Sequence, residues 1–91
     1  MSEESEKATA PEENLWIRFD FHGKSISGKT DIWGVVADQS NITLGTIRWY
    51  GPWRCYAFGP YLNALFEKDC LRAIANFCEE QTKMHKEKLH G

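Results

Sequence analysis

The apolar residues of this chain follow one period in its first half and another in its last quarter. Over residues 15–22, apolar side chains occupy every second position, which is the period of a strand with one buried face. Residues 30–37, 42–50 and 53–58 are rich in β-branched and aromatic residues, and short polar or glycine-rich segments separate them. The pattern predicts four sequential strands.

A helix is predicted from about Glu67 onward, because apolar residues there recur at three- and four-residue steps. The residues concerned are Leu71, Ile74, Phe77 and Cys78. Glu67 is the predicted N-cap, and we expect residues 85–91 to fray. No helical segment separates the strands, so crossover connections are not expected. The predicted fold class is α+β, with an antiparallel sheet of about four strands packed on one C-terminal helix.

The charge is divided unevenly between two regions. Residues 1–14 hold five Glu against one Lys and almost no apolar side chains, so they cannot bury enough surface to offset the entropy of ordering. We expect them to form a disordered acidic tail. Residues 15–91 hold ten bases against eight acids and are predicted to form a single domain.

The densest aromatic cluster surrounds Gly51-Pro52, which we interpret as the two-residue turn of a hairpin. This register pairs Tyr50 with Trp53 and Trp49 with Arg54. One face then carries Ile47, Trp49, Arg54, Tyr56 and Phe58, and the other carries Thr46, Arg48, Tyr50, Trp53, Cys55 and Ala57. The first face is the more apolar and is predicted to lie under the helix.

The second face is unusually aromatic and basic for a surface in contact with solvent. Aromatic rings stack on nucleobases and guanidinium groups bind phosphates by paired hydrogen bonds, so we predict a ligand-binding surface here. The predicted binding residues are Arg48, Tyr50 and Trp53 of this face and Arg54 of the other, with Lys24 and Lys29 as mobile anion contacts. The alternative is structural: Trp49 and Arg54 form a cation–π pair, and Tyr50 and Trp53 staple the hairpin tip.

Residues 23–30 match the phosphate-binding pattern G-x-x-x-x-G-K-[ST]. That loop needs a following helix whose N–H groups face the phosphates, but residues 30–37 read as a strand. We therefore expect a lysine-bearing hairpin loop.

Residues 54–61 resemble the central strand signature of the RNA-recognition motif at its basic, aromatic and small positions. The family's helix between the first two strands has no counterpart here. Base stacking on an open sheet nevertheless keeps single-stranded nucleic acid as an alternative ligand.

Nothing in the spacing of titratable residues predicts catalysis or metal binding. The three cysteines form no C-x-x-C pair, and the chain shows no signal-peptide pattern or long apolar run. We therefore expect reduced thiols in a cytoplasmic protein. We predict no enzyme activity, no cofactor and no membrane association. A body with a net charge of only +2 gives weak support to nucleic-acid binding.

Residues 44–77 resemble a group of small phage and prophage proteins. The shared pattern is L-G-x-I-x-W, then W-R-x-Y-x-F-x-P, then F-x-x-x-C-L-x-x-I-x-x-F, and here it covers 44–49, 53–60 and 66–77. The resemblance implies a phage-encoded accessory protein in the host cytoplasm, a kind that often binds a host protein, a nucleic acid or a nucleotide signal used in host defence.

The leading hypothesis is therefore a non-enzymatic phage protein that neutralises a host component, by sequestering a nucleotide signal or blocking a defence protein. One alternative is a single-stranded nucleic-acid-binding protein. Another is a structural module whose aromatic face is a homo-oligomer interface.

Overall fold

The computed structural model describes residues 16–90 and confirms the predicted fold class. Four antiparallel strands lie side by side in chain order: β1 (Ile17–Lys24), β2 (Asp31–Ala37), β3 (Thr43–Tyr50) and β4 (Cys55–Pro60). One helix, α1 (Lys68–His90), follows them. The predicted acidic tail, residues 1–14, lies outside the described residues. Among the described residues, no helix is long and apolar enough to cross a membrane.

The helix packs on one face of the sheet, which we call the helix face. Phe77 of α1 stacks on Phe19 with ring centroids 4.3 Å apart and meets Trp33 edge-on at 5.0 Å. Val35 and Ile47 are fully buried between these layers. The remaining members of the core cluster are Ile17, Tyr56, Cys70 and Ile74. The alternating pattern of β1 and the helical spacing after Glu67 therefore meet in a single core.

The other face, which we call the open face, is not covered by any helix or strand within residues 16–90. Arg18 lies there and donates to Asp20 at 3.0 Å, to Asp38 at 3.3 Å and to Asn41 at 2.8 Å. Such exposed ion pairs contribute little stability individually. Their network holds the start of β1 against the β2–β3 connection.

The helix also contacts the outer edge of β4 through one hydrogen bond. The backbone N–H of Tyr56 donates to Thr82 Oγ1 at 2.9 Å, and the same hydroxyl donates to the Cys78 carbonyl at 2.7 Å. An edge strand otherwise presents unpaired N–H groups that attract other strands. Thr82 thus fixes the position of the helix along the direction of β4. This position determines which helical residues lie near each end of the sheet.

Two predictions about segment ends are wrong. The hairpin connection is four residues long, 51–54, and Tyr50 pairs with Cys55 instead of Trp53. The register differs from the predicted one by two residues, so Ile47, Trp49, Tyr56 and Phe58 stay on the predicted helix face. The helix also continues regularly to His90 instead of fraying from residue 85, because His85 packs on Trp49 with ring centroids 4.5 Å apart.

The predicted helix cap is confirmed. Glu67 Oε1 accepts the backbone N–H of Cys70 at 2.6 Å, and the Glu67 carbonyl accepts that of Leu71. This hydrogen bond to the charged form lowers the pKa of Glu67 below its ordinary value of 4.5.

Acidification is expected to remove the stability that this cap supplies. Folding lowers the pKa of Glu67, so its contribution is complete above the unfolded value and is lost as pH falls through the folded value. Urea unfolding from about pH 6 to about pH 3 should show wild type losing its advantage over Glu67→Gln, whose amide is a neutral acceptor. A free-energy difference that stays constant over this range would contradict the cap's charge dependence.

Candidate ligand-binding end of the sheet

Both hairpin turns lie at the same end of the sheet, which we call the loop end. Because the sheet is an antiparallel meander, β1 and β3 finish there and β2 and β4 begin there. Residues 25–30 join the first pair of strands and residues 51–54 the second. Two strand spacings separate the two turns, a distance of about 10 Å. The predicted site residues, which are distant in sequence, are therefore gathered at one end.

The tip of the second hairpin is built by a short 3₁₀ turn over Gly51–Trp53. Pro52 has no N–H to leave unsatisfied in such a turn. Arg54 closes it in the left-handed conformation, with φ 55°, and its N–H donates to the Tyr50 carbonyl at 2.9 Å. Trp53 and Arg54 are therefore turn residues and not strand residues.

Tyr50 and Trp53 form the aromatic surface of this tip. Their rings meet edge-on with centroids 4.8 Å apart, and 70% of Trp53 and 45% of Tyr50 remain exposed. Arg48 is exposed on the open face two residues before Tyr50. The structure thus brings together four of the predicted site residues, with Arg54 at the close of the turn.

The predicted cation–π pair between Trp49 and Arg54 does not form. In the observed register Trp49 pairs with Tyr56, and their rings meet edge-on at 5.5 Å under the helix. Trp49 belongs to the helix face, whereas Arg54 closes the turn. The guanidinium of Arg54 is thereby left for other partners.

Lys24 and Lys29 lie on the first hairpin and differ in their surroundings. Lys24, at the end of β1, pairs with Asp31 across the hairpin at 2.8 Å, and this contact raises its pKa. Lys29 lies in the exposed turn, and none of the described carboxylates forms an ion pair with it. As expected, a strand and not a helix follows the turn, so the phosphate-loop pattern does not form a phosphate loop here.

The last turns of α1 add positive charge that was not part of the predicted site. Thr82 contacts β4 one residue after that strand begins, so the residues that follow Thr82 lie at the loop end. Seven bases of the described residues gather there: Lys24, Lys29, Arg48, Arg54, Lys83, Lys86 and Lys88. Asp31, Glu79 and Glu87 are acids of the described residues that accompany them. The small net charge of the body therefore conceals a basic end.

Two of the concave surfaces formed by the described residues flank the helix at this end. The larger, of about 720 Å³, lies between β4 and α1 and is mainly apolar. Cys55, Tyr56, Cys78, Glu79, Thr82, Lys83, Lys86 and Glu87 line it. Burial raises the pKa of the Cys78 thiol to about 11, so this thiol is a poor nucleophile at neutral pH. Two lysines and two glutamates line the groove, so it favours neither sign of ligand charge.

The second concave surface is a cleft of about 400 Å³ between the first hairpin turn and the end of α1. Sequence interpretation missed it because residues 85–91 were expected to fray. The signal was present: Thr82 and His85 continue the stripe of Ile74 and Cys78 at helical spacing, with polar side chains replacing apolar ones.

The three cysteines are free thiols, as expected. Cys70 is fully buried in the core, and burial raises its pKa to about 11. Within residues 16–90, no three His, Cys, Asp or Glu side chains converge in a way that would hold a metal ion.

The fold and its loop end together define the class of protein: a small α+β domain with one open sheet face and a basic, aromatic end. The chain is 30% identical over 53 residues to an uncharacterized 9.3 kDa protein of Acholeplasma phage L2, a match that spans 58% of this chain and 68% of the phage protein. It therefore belongs to the same family of small phage proteins. No protein-family model and no solved structure matches the chain.

Proposed function

We propose that this chain is a non-enzymatic phage protein that sequesters an anionic nucleotide signal of the host's defence. The observation that carries the proposal is the hairpin tip, where exposed Trp53 stands against Tyr50 beside Arg54. A nucleobase stacked on an aromatic side chain contributes about 1–3 kcal/mol, and a guanidinium adds paired hydrogen bonds to phosphate.

The position of the tip also supports binding of an anion. Lys24, Lys29 and Arg48 lie at the same end of the sheet, and together with the helical lysines they produce a local excess of positive charge. Charge of one sign concentrated on one surface raises the encounter rate with an oppositely charged ligand. The acids that accompany them are few, and Asp31 is already paired with Lys24.

Replacing Trp53 by alanine is expected to weaken nucleotide binding about tenfold without changing the stability of the fold. Trp53 is largely exposed and lies outside the core cluster, so its removal leaves no buried cavity. Isothermal titration calorimetry against cyclic dinucleotides, cyclic trinucleotides and ADP-ribose derivatives measures the affinity. The matched control is Tyr61→Ala, an exposed aromatic just after β4 at the opposite end.

Absence of binding to every compound in this panel would remove the nucleotide proposal. Equal affinity of wild type and Trp53→Ala would remove the hairpin tip as the site. Binding lost equally in Trp53→Ala and Tyr61→Ala would indicate a general structural effect and would also contradict the assignment.

Single-stranded nucleic acid is a second candidate ligand, and the placement of Arg48 and Tyr50 on the open face favours it. A strand bound there would lie across β3 with its bases against Tyr50 and Trp53. Binding of short oligonucleotides that weakens steeply with salt, and that exceeds binding of any single nucleotide, would support this candidate. Salt-insensitive or absent oligonucleotide binding would exclude it.

A further inference from the structure

A cleft on the helix face has the size and lining of a small-molecule site. It lies between the first hairpin turn and the last turns of α1, and its volume of about 400 Å³ falls within the range of ligand pockets, roughly 300–1,000 Å³. Its lining combines hydroxyl, cationic and aromatic groups. The residues are Ser27, Lys29, Thr30, Trp49, His85, Lys88 and Leu89.

One wall of the cleft is a turn whose shape is held by its own hydrogen bonds. The N–H of Ser25 donates to the Thr30 carbonyl at 2.8 Å, and that of Gly28 donates to the Ser25 carbonyl at 2.9 Å. Thr30 Oγ1 donates to Ser25 Oγ at 2.9 Å. Gly28 adopts φ 77°, a left-handed conformation that glycine reaches at little cost. The wall is therefore formed before any ligand arrives.

The Trp49 indole lines the cleft, and contacts on two sides fix its orientation. Tyr56 meets it edge-on at 5.5 Å, and His85 packs on it at 4.5 Å with an interplanar angle of 50°. Trp49 is half-buried, and its remaining surface borders the cleft. A fixed aromatic surface binds a planar ring with little loss of side-chain entropy.

Two lysines supply positive charge in the lining of the cleft. Lys29 comes from the hairpin turn and Lys88 from the helix, and within the described residues neither has an ion-pair partner. Asp31 lies beyond Lys29 in a smaller adjoining cavity, where Lys24 neutralises it. The carbonyls at the end of α1 carry partial negative charge and oppose an anion. Anion binding here must therefore depend strongly on both lysines.

We propose that this cleft binds a nucleoside monophosphate, with the base against Trp49 and the phosphate between Lys29 and Lys88. The site is separate from the hairpin tip, because Trp49 faces the helix whereas Tyr50, the next residue, faces the open side. The cleft shares Lys29 and Lys88 with the basic end that supports the proposed function, but its aromatic contact is Trp49 and not Trp53.

Calorimetric titration of the full chain with AMP, adenosine and inorganic phosphate tests the assignment. We expect AMP to bind more tightly than adenosine or inorganic phosphate. Adenosine keeps only the contact of the base with Trp49, and phosphate keeps only the contacts with the lysines. Lys29→Ala and Lys88→Ala should each weaken AMP binding about five- to tenfold, and the double variant more than either alone. Lys68→Ala, an exposed lysine at the other end of α1, is the matched control and should bind as wild type.

Nuclear magnetic resonance supplies a second measurement that does not depend on the lysine variants. AMP should shift the indole N–H resonance of Trp49, and a shift of the Trp53 resonance without one of Trp49 would place AMP at the hairpin tip. Tyr61→Ala, at the opposite end of the sheet, should bind AMP as wild type does.

Several outcomes would overturn the proposal. Equal affinity for AMP and inorganic phosphate would show that the base does not contribute to binding. Equal affinity for AMP and adenosine would show that the phosphate does not contribute. AMP binding that is absent, or unchanged in both lysine variants, would remove the site. AMP binding that is lost in Trp53→Ala but retained in the lysine variants would place the ligand at the hairpin tip, which refutes this cleft and supports the proposed function.

Discussion

Replacing Gly45 by alanine is expected to lower the free energy of unfolding by about 3 kcal/mol or more. Gly45 is buried on β3, opposite Pro60 of β4. A Cβ atom there would lie 2.7 Å from the Gly59 carbonyl oxygen and 2.9 Å from Pro60 Cα, and these backbone atoms cannot rotate away. The end of β4 must therefore shift, and Phe58, whose ring also lies 2.7 Å from that Cβ position, must shift with it. Urea unfolding measures the loss.

Gly34→Ala is the matched control for this prediction. It is also a buried glycine in a central strand, but its Cβ would meet the imidazole of His22. His22 is an exposed side chain on the open face, and its ring can swing toward solvent. We expect a loss below about 1 kcal/mol. Losses of similar size in the two variants would contradict the backbone-contact explanation.

The order of strands and the single helix could be predicted from sequence because hydrophobic period is a local signal. Alternation predicts a strand in residues 15–22. The helical spacing of Leu71, Ile74 and Phe77 predicts a helix. Short connections between the strands then allow only antiparallel neighbours. The prediction that Ile47, Trp49, Tyr56 and Phe58 share the helix face is confirmed, because the true register differs from the predicted one by an even number of residues. Arg54, which was predicted on that face, lies in the turn.

The turn itself could not be predicted from local signals. Gly51-Pro52 suits a two-residue turn by composition, but the chain uses four residues and closes with Arg54 in the left-handed region. That conformation is normally marked by Gly or Asn, so the sequence carried no sign of it. The consequence is functional, because Trp53 and Arg54 project from a tip instead of pairing across strands.

The basic end was hidden for a different reason. Lys83, Lys86 and Lys88 are distant in sequence from Lys24, Lys29 and Arg54, and only the height of the helix along β4 brings the two groups together. The hydrogen bond from Tyr56 N to Thr82 Oγ1 sets that height. Net charge summed along a chain therefore says little about a surface whose charges come from three separate segments.

Replacing Arg54 by glycine is expected to separate binding from folding at the hairpin tip. With φ 55°, Arg54 occupies a conformation that costs a residue with a side chain about 1–2 kcal/mol and costs glycine almost nothing. Glycine also raises the conformational entropy of the unfolded chain, and this offsets part of the stability gained by relieving the strain. We therefore expect a stability equal to wild type or up to about 1 kcal/mol higher.

The same substitution should weaken nucleotide binding about thirtyfold, because hydrogen bonds to charged groups contribute about 1.5–3 kcal/mol each. Arg54→Lys is the control that keeps the charge and loses the paired geometry, and it should fall between wild type and Arg54→Gly. Thermal unfolding and calorimetric titration together give the two readouts.

A strained residue in a turn persists when the surrounding structure holds it there, and such residues cluster at functional sites. If Arg54→Gly raises stability and leaves binding intact, Arg54 is a tolerated irregularity of the turn and the tip is not a guanidinium-dependent site. If stability rises and binding falls, the left-handed turn is maintained at a cost in stability for the guanidinium that it presents beside Trp53.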